Sequence, residues 1–457
     1  MMKNKIILIC LVTMIVTLST SCNKFLDRDP MGQIAQDQFF NSETNANAAV
    51  LGTYRTMMNS FSFGQSIVIV PEFSAGHVRH SASFPEYQNF AEHKIQAINP
   101  WTANMWQAVY ATINAANQII EEVPEMTPTM ITEEKKNIFI GEAKFIRALN
   151  YFFLVRAFNK VPLKLSYTKE GGNFDIPESG KEAIYTQIVN DLTDAVAALP
   201  QANPNTGDAA KGRASYWAAK ALLAKVYLYQ AAITNDYKKS ADLANEIITT
   251  AGFGLVTDFS TIWTTQNTNE AIFEIQFDDQ ATNPLAAVAN DNASVLFFAK
   301  DSTIQDLYSP QDKRRAFTVK KGSKNNYFMG KFPNFSPASQ NLTVIRLAEI
   351  YLIHAEAQAR VDNSVSTTAY NSLKAVQDRA GVTFPISSYS NLEAFITAVQ
   401  EEKEKELMFE GETWFDYSRT KLALKKYDTL TDERYLLYPI PSAQIALGTG
   451  LTQNPGY

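Results

Sequence analysis

The stretch Gly141–Pro162, GEAKFIRALNYFFLVRAFNKVP, constrains the fold more than any other part of the chain. Phe139, Ala143, Ile146, Asn150, Phe153 and Ala157 follow one another at steps of four and three, the spacing of one helix face. Phe145, Leu149, Phe152 and Arg156 make a second stripe beside it. A helix apolar over most of its circumference belongs inside a protein, so the spacing predicts a central core helix. Pro162 has no backbone donor and pushes Val161 toward an extended conformation, which ends the helix there.

A chain of 457 residues with 46% hydrophobic and 19% charged content is globular and long enough for one large or two ordinary domains. Residues 1–21 read as a leader: Lys3 and Lys5 precede the apolar run Ile6–Leu18, which at 13 residues is too short to span a bilayer. Ser19-Thr20-Ser21-Cys22 follows, with small residues at a cleavage point and a thiol to receive lipid, so Cys22 is the expected lipidation site. Leu18 stands four places before the cysteine, where a usual lipobox has leucine three before. Cys10 leaves with the leader, so the mature chain has one cysteine and no internal disulfide. Loss of Lys3 and Lys5 takes the formal charge from −6 to −8. That balance, without a basic stripe, argues against a nucleic-acid partner. No later segment approaches 18 uninterrupted apolar residues, which leaves lipid as the expected anchor.

Helical spacing recurs along the chain. Ala46, Ala49, Val50, Tyr54 and Met57 share one side of a first helix, and Trp106, Tyr110, Ile113, Ala116 and Ile120 mark another that ends before Pro124. Tyr185, Ile188, Leu192, Ala195 and Leu199 mark a third, followed by an exposed turn at Asn203–Asp208. The core Leu223-Ala224-x-x-Tyr227 of an alanine-rich helix recurs at Leu347-Ala348-x-x-Tyr351, in the manner of tetratricopeptide hairpins. Four hairpins are expected: 43–59 with 104–122, 139–158 with 181–199, 213–233 with 237–250, and 343–361 with 366–380. Hairpins that each bury a face on the next build a curved stack. Ser62–Pro100 carries little helical period and reads as a long loop, and Phe253–Pro333 as a second irregular part holding one strand at Glu270–Phe277. The expected fold is mainly α: a tetratricopeptide-like helical-hairpin stack with an irregular, loop-rich ligand-binding part and few short strands.

Several of these segments together resemble the SusD/RagB family of Bacteroidetes outer-membrane nutrient-binding lipoproteins. The resemblance rests on Glu142-Ala143-x-Phe145-x-Arg147-Ala148-x-x-Tyr151-Phe152, and on Arg346-Leu347-Ala348-Glu349-Ile350-Tyr351-Leu352 with Ala355-Glu356-Ala357. Glu406-Leu407-x-Phe409-Glu410-Gly411-x-x-Trp414-Phe415-Asp416-x-x-Arg419 is similar to a third family motif, with Thr413 in place of an arginine. Asp312-Lys313-Arg314 resembles a family Asp-x-Arg site, for which a structural salt bridge is implied, and Arg379-Ala380-Gly381 a helix end with a glycine cap. The likeness runs from Cys22 to Tyr457 and implies an N-terminal half at 22–250 and a C-terminal half at 251–457, packed as one unit. It further implies a lipid-anchored protein of the cell outer membrane, facing the surface. There it would capture an oligosaccharide, or as second choice a peptide, and deliver it to a SusC-like TonB-dependent outer-membrane transporter.

No catalytic constellation appears: there is no GxSxG, HExxH, phosphate loop or dinucleotide fingerprint, and neither enzyme activity nor a cofactor is expected. His77-x-x-His80 alone is too sparse for a metal site, and His354 belongs in the packing of its helix. The carboxylates Glu401, Glu402, Glu404, Glu406 and Glu410 alternate with Lys403 and Lys405, which reads as a solvated, charge-paired helix face. What remains is the aromatic content of the two irregular parts. Sugar rings present apolar C–H faces that stack on aromatic planes, while amides and Arg satisfy their hydroxyls. On that chemistry the candidate ligand-binding residues are Arg79, Tyr87, Trp101, Asn104, Tyr308 and Tyr327. A helical-repeat scaffold for a protein partner is the remaining alternative.

Overall fold

Ser42 accepts a hydrogen bond from the Asn45 N–H and so opens the first long helix, α1 (Glu43–Met57). The computed structural model describes residues 39–457 apart from 170, 173–174, 202–210, 293 and 449. The leader, Cys22 and the Asn203–Asp208 turn therefore lie outside the described residues. After α1 come a short helix α2 (Ser66–Ser74), strand β1 (Val78–His80), helix α3 (Pro85–Ala91) and the long helices α4 (Pro100–Glu125) and α5 (Glu133–Phe158). Strands β2 (Val161–Pro162) and β3 (Glu178–Ser179) lead to α6 (Lys181–Ala198), α7 (Tyr216–Thr234) and α8 (Lys238–Thr250). The irregular part that follows holds β4 (Ala271–Ile275), β5 (Phe297–Ala299), β6 (Val319–Lys321), β7 (Tyr327–Met329) and β8 (Leu342–Arg346). The chain closes with α9 (Leu347–Asp362), α10 (Thr367–Ala380), α11 (Leu392–Leu407) and α12 (Thr413–Arg419).

The four expected hairpins form: α1 packs on α4, α5 on α6, α7 on α8 and α9 on α10. Each also packs on the next, through α4 with α5, α6 with α7 and α8 with α9, so they stack in chain order. The core helix α5 runs from a Thr132 cap to Asn159, whose φ of 67° turns the chain into β2. All six residues of its first stripe are buried, and the Asn150 NH₂ donates to the Ile146 carbonyl, while its Oδ1 has no partner among the described residues. Gly381 takes a φ of 76° at the end of α10, the left-handed cap expected of it. Pro124 lies inside the last turn of α4 instead of beyond it.

The segment Ser62–Pro100 is not one long loop. It holds α2, β1 and α3, and every residue of α2 is buried. A helix covered on all sides has no polar face, and SIVIVPEFS consequently shows no helical period. Strand β4 forms as expected and pairs antiparallel with β8, Ala271 opposite Arg346 and Ile275 opposite Leu342. All five of its residues are buried, Glu274 included, because the ribbon is covered on both faces. Two further antiparallel ribbons matter for the surface: β1 with β5, pairing Arg79 with Phe298, and β6 with β7, pairing Lys321 with Tyr327.

The acidic face of α11 is also a correction. Glu402, Lys403, Glu404 and Glu406 are buried, and cations from distant segments meet the three carboxylates. Arg314, fully buried, binds Asp312 through Nη2 at 2.8 Å and reaches Glu402 at 2.6 Å and Glu406 at 2.8 Å, so the implied Asp-x-Arg salt bridge is one edge of a network. Arg346 and Arg379 both reach Glu406, while Lys331 binds Glu410 at 2.6 Å. Lys403 pairs with Asp416 at 2.7 Å, and Arg419 with Glu356 at 2.8 Å. Removing one partner from such a set leaves an uncompensated buried charge, which typically costs about 3–5 kcal/mol.

Candidate functional site

Asn99 fixes the start of α4. Its side chain accepts from the Trp101 N–H at 2.9 Å and donates to the Glu86 carbonyl at 2.9 Å, and Pro100 supplies the first helical turn. The Trp101 ring is thereby held at the N-terminal end of a 26-residue helix, half-buried. It stacks on Tyr87 from α3 at 4.5 Å, and Phe61 leans against it at 5.8 Å. Tyr87 itself is buried, stacked also on Phe73 at 4.7 Å and beside His80 at 5.4 Å. Phe84, 43% exposed, continues the row at 5.0 Å from His80, and Phe61 is 37% exposed at the other end. Burial pushes the Tyr87 hydroxyl up and the His80 imidazole down, which favours their neutral forms.

The result is an aromatic shelf: Trp101, Phe61, His80 and Phe84 reach the surface, and Tyr87 supports them from beneath. The Trp101 indole N–H is enclosed without an acceptor among the described residues, so the indole offers carbon surface instead of a donor. Asn104 lies one turn along α4 from Trp101, half-buried, and its amide makes no hydrogen bond among the described residues. A flat apolar ring beside a free amide can hold a sugar ring by its C–H face and one or two hydroxyls.

Arg79 lies on β1 next to His80, where alternation sends it to the other side of the ribbon. Its Nη2 donates to Asn326 Oδ1 at 2.8 Å, its Nε donates to the Lys300 carbonyl at 3.1 Å, and the guanidinium sits 4.3 Å above the Phe298 ring. Arg79 thus braces β1, β5 and the start of β7, where Tyr327 is half-buried beside Asn326. The six sequence candidates therefore divide: Tyr87, Trp101 and Asn104 come together, whereas Arg79 is turned to the other side of the ribbon, toward Asn326 next to Tyr327. Tyr308 lies with neither, buried with its hydroxyl donating to the Lys405 carbonyl at 2.8 Å. The six candidates include neither Phe84 nor Phe61, and Phe61 follows α1 with no periodic or turn signal to single it out.

Two pockets flank α4 beyond the shelf. One, of about 330 Å³, is walled by Tyr110, Gln107, Asn114, Lys164 and Thr168. The other, of about 390 Å³, lies toward α1 between Asn59, Ala108 and Thr282. The two histidines of His77-x-x-His80 do not converge: His77 is buried between Glu72 and Glu404, at 2.7 and 3.0 Å. Among the described residues no cluster of three His, Cys, Asp or Glu side chains could hold a metal ion.

Comparison with known proteins fits this architecture. Residues 24–228 match a family described as "Starch-binding associating with outer membrane", and residues 312–434 match the SusD family. A SusD-like protein of Bacteroides ovatus is 25% identical, over 78% of this chain and 72% of its own. A SusD superfamily protein of Parabacteroides distasonis superposes with a TM-score of 0.78 at 25% identity, covering 91% of this chain and 99% of that one. A laminarin-binding SusD-like protein superposes with a TM-score of 0.76 at 25% identity, over 91% of this chain and 100% of that one. The two matched segments, the relatives aligned along most of the chain and the shared hairpin stack lead to one conclusion: the chain belongs to the SusD/RagB family.

Proposed function

We propose that this protein captures an oligosaccharide on the Trp101 shelf at the outer surface of the outer membrane and hands it to a SusC-like TonB-dependent transporter. The observation that carries the reading is the Trp101 ring itself, fixed from below by Tyr87 and at its backbone by Asn99, with Phe61 and the Asn104 amide beside it. Support comes from the relatives: a family description that names starch, and a structural neighbour that binds laminarin. Lipid on Cys22 would hold the protein at the membrane, since among the described residues no helix is long and apolar enough to cross one. The role is binding and delivery, without turnover of the ligand.

Purified mature protein should bind members of a glycan array and leave them chemically unchanged. Ring stacking is worth about 0.5–1.5 kcal/mol for aromatic pairs, and on that scale Trp101→Ala should weaken binding roughly two- to tenfold or more. Its melting temperature should stay near that of the unaltered protein, because the ring is only half-buried. Undiminished affinity in Trp101→Ala would place the site elsewhere. Binding confined to a peptide array would replace the ligand class, and release of shortened sugars would replace binding by catalysis.

A further inference from the structure

From Pro100 to Ile120, α4 carries no Asp, Glu, Lys or Arg. A helix face that meets solvent ordinarily carries charge, and this one does meet solvent: Gln107 and Ala111 are exposed, while Asn104 and Asn114 are half-buried. Trp101, Asn104, Gln107, Ala111 and Asn114 are spaced by three, three, four and three, so each side chain neighbours the next along one row. The row starts on the shelf. It ends in the pocket of about 330 Å³, and Ala111 lines that pocket and the one of about 390 Å³ on the opposite flank. Both volumes fall at the lower end of those that hold small organic groups.

The groups along the row suit hydroxyls. The Gln107 amide has no hydrogen-bond partner among the described residues, so it offers a donor and an acceptor. Asn114 accepts the Thr168 N–H through Oδ1 at 2.8 Å, which leaves its NH₂ as a donor. Tyr110 is locked by its hydroxyl on the Pro162 carbonyl at 2.7 Å, and the Lys164 ammonium stands 5.8 Å from its ring centroid with no carboxylate partner among the described residues. Asn117 is already used: it donates to the Lys164 and Ser166 carbonyls and accepts from Arg147, a rigid floor under the pocket. A single ammonium among amides is a weak attractor for polyanions, and the row lacks the Arg and aromatic anchors that concentrate protein–protein binding beyond Trp101.

We infer that the uncharged row of α4 continues the Trp101 shelf into the Gln107–Asn114 pocket, and that the ligand is a linear neutral oligosaccharide long enough to occupy both. The inference rests on the capture of oligosaccharide at Trp101. Thirteen residues separate Trp101 from Asn114, about 20 Å at the helical rise, a span that a monosaccharide or disaccharide cannot bridge.

The test is calorimetric titration of the mature protein with neutral α-1,4- and β-1,3-linked gluco-oligosaccharides, from disaccharide to heptasaccharide. Gln107→Ala removes the central amide, and Ala111→Phe fills the pocket mouth from an exposed position where folding is not at risk. Affinity should rise with chain length in the unaltered protein. Each variant should weaken heptasaccharide binding by about five- to tenfold, the worth of one or two hydrogen bonds, and leave the disaccharide unchanged. Trp101→Ala should weaken both. Equal affinity at all lengths overturns the inference, as do variants that bind heptasaccharide normally while Trp101→Ala does not. Variants that lose co-purification with a barrel partner at unchanged sugar affinity overturn it in favour of a protein contact. Binding to none of these neutral oligomers also overturns it, and the glycan array then separates the two failures: binding of other glycans keeps the capture reading, and binding of no glycan takes that reading down as well.

Discussion

His77 shows how single residues in this protein are committed. Burial alone would push its imidazole down, but hydrogen bonds to Glu404 and Glu72 outweigh burial and hold it up at about 9. A group raised in the folded state adds stability that is full below its unfolded value, near 6.5, and fades as pH rises through 9. The expected outcome is a denaturation midpoint that falls between pH 6.5 and 9, by the equivalent of about 3 kcal/mol. In His77→Gln this fall should be lost, and urea titrations at pH 6 and pH 9.5 measure both. A slope that survives in the variant would assign it to other groups. Nothing in the sequence marks this pairing, because Glu72 and Glu404 are brought to His77 by tertiary packing. The same gap explains why the carboxylates of α11 read as solvated: alternation with lysine was visible, and the arrival of Arg314, Arg346 and Arg379 was not. Tyr308 was misleading for a related reason, since an aromatic in an irregular segment looks the same whether it faces solvent or the Lys405 carbonyl.

Elements were legible wherever they had two unlike faces. Most helices of the hairpins α1–α4, α5–α6, α7–α8 and α9–α10 bury a stripe and expose the rest, and α5, buried over most of its circumference, is long enough at 26 residues for its spacing to show. α2 was invisible because it has one kind of face, and the β1–β5 ribbon because three residues are too few to show alternation. The shelf was half legible for this reason: Trp101 stood out by its aromatic chemistry at the edge of the first irregular segment, whereas its support by α3 depended on an element with no period. Leu352 tests the hairpin assignment directly. It is fully buried in a cluster formed by α9, α10 and α11, with Leu373, Val376 and Phe395. Leu352→Ala should cost roughly 2–5 kcal/mol, the range for truncating a buried leucine. Chemical denaturation checks this, and a loss below about 0.5 kcal/mol, the level of surface changes, would mean the face was wrongly assigned.

At the scale of the whole molecule, the hairpin stack is the scaffold, and the inserted segments supply most of the proposed ligand surface. α4 belongs to both, with its buried side in the stack and its N-terminal turn in the shelf. Capture at a membrane further requires that this body stay attached, and among the described residues it has no spanning helix. On the proposed reading, attachment would fall to lipid on Cys22, which follows a short apolar run. One acyl chain gives only marginal membrane binding, whereas two or more hold a protein stably. Cys22→Ala should abolish incorporation of radiolabelled palmitate and move the protein from the membrane fraction to the soluble one. The purified variant should still bind oligosaccharide as the unaltered protein does, because the shelf is built from residues between Phe61 and Asn104. Membrane retention without label would mean that a protein partner, not lipid, carries the attachment, and a Cys22→Ala protein that had lost sugar binding would tie the N-terminal segment to the site.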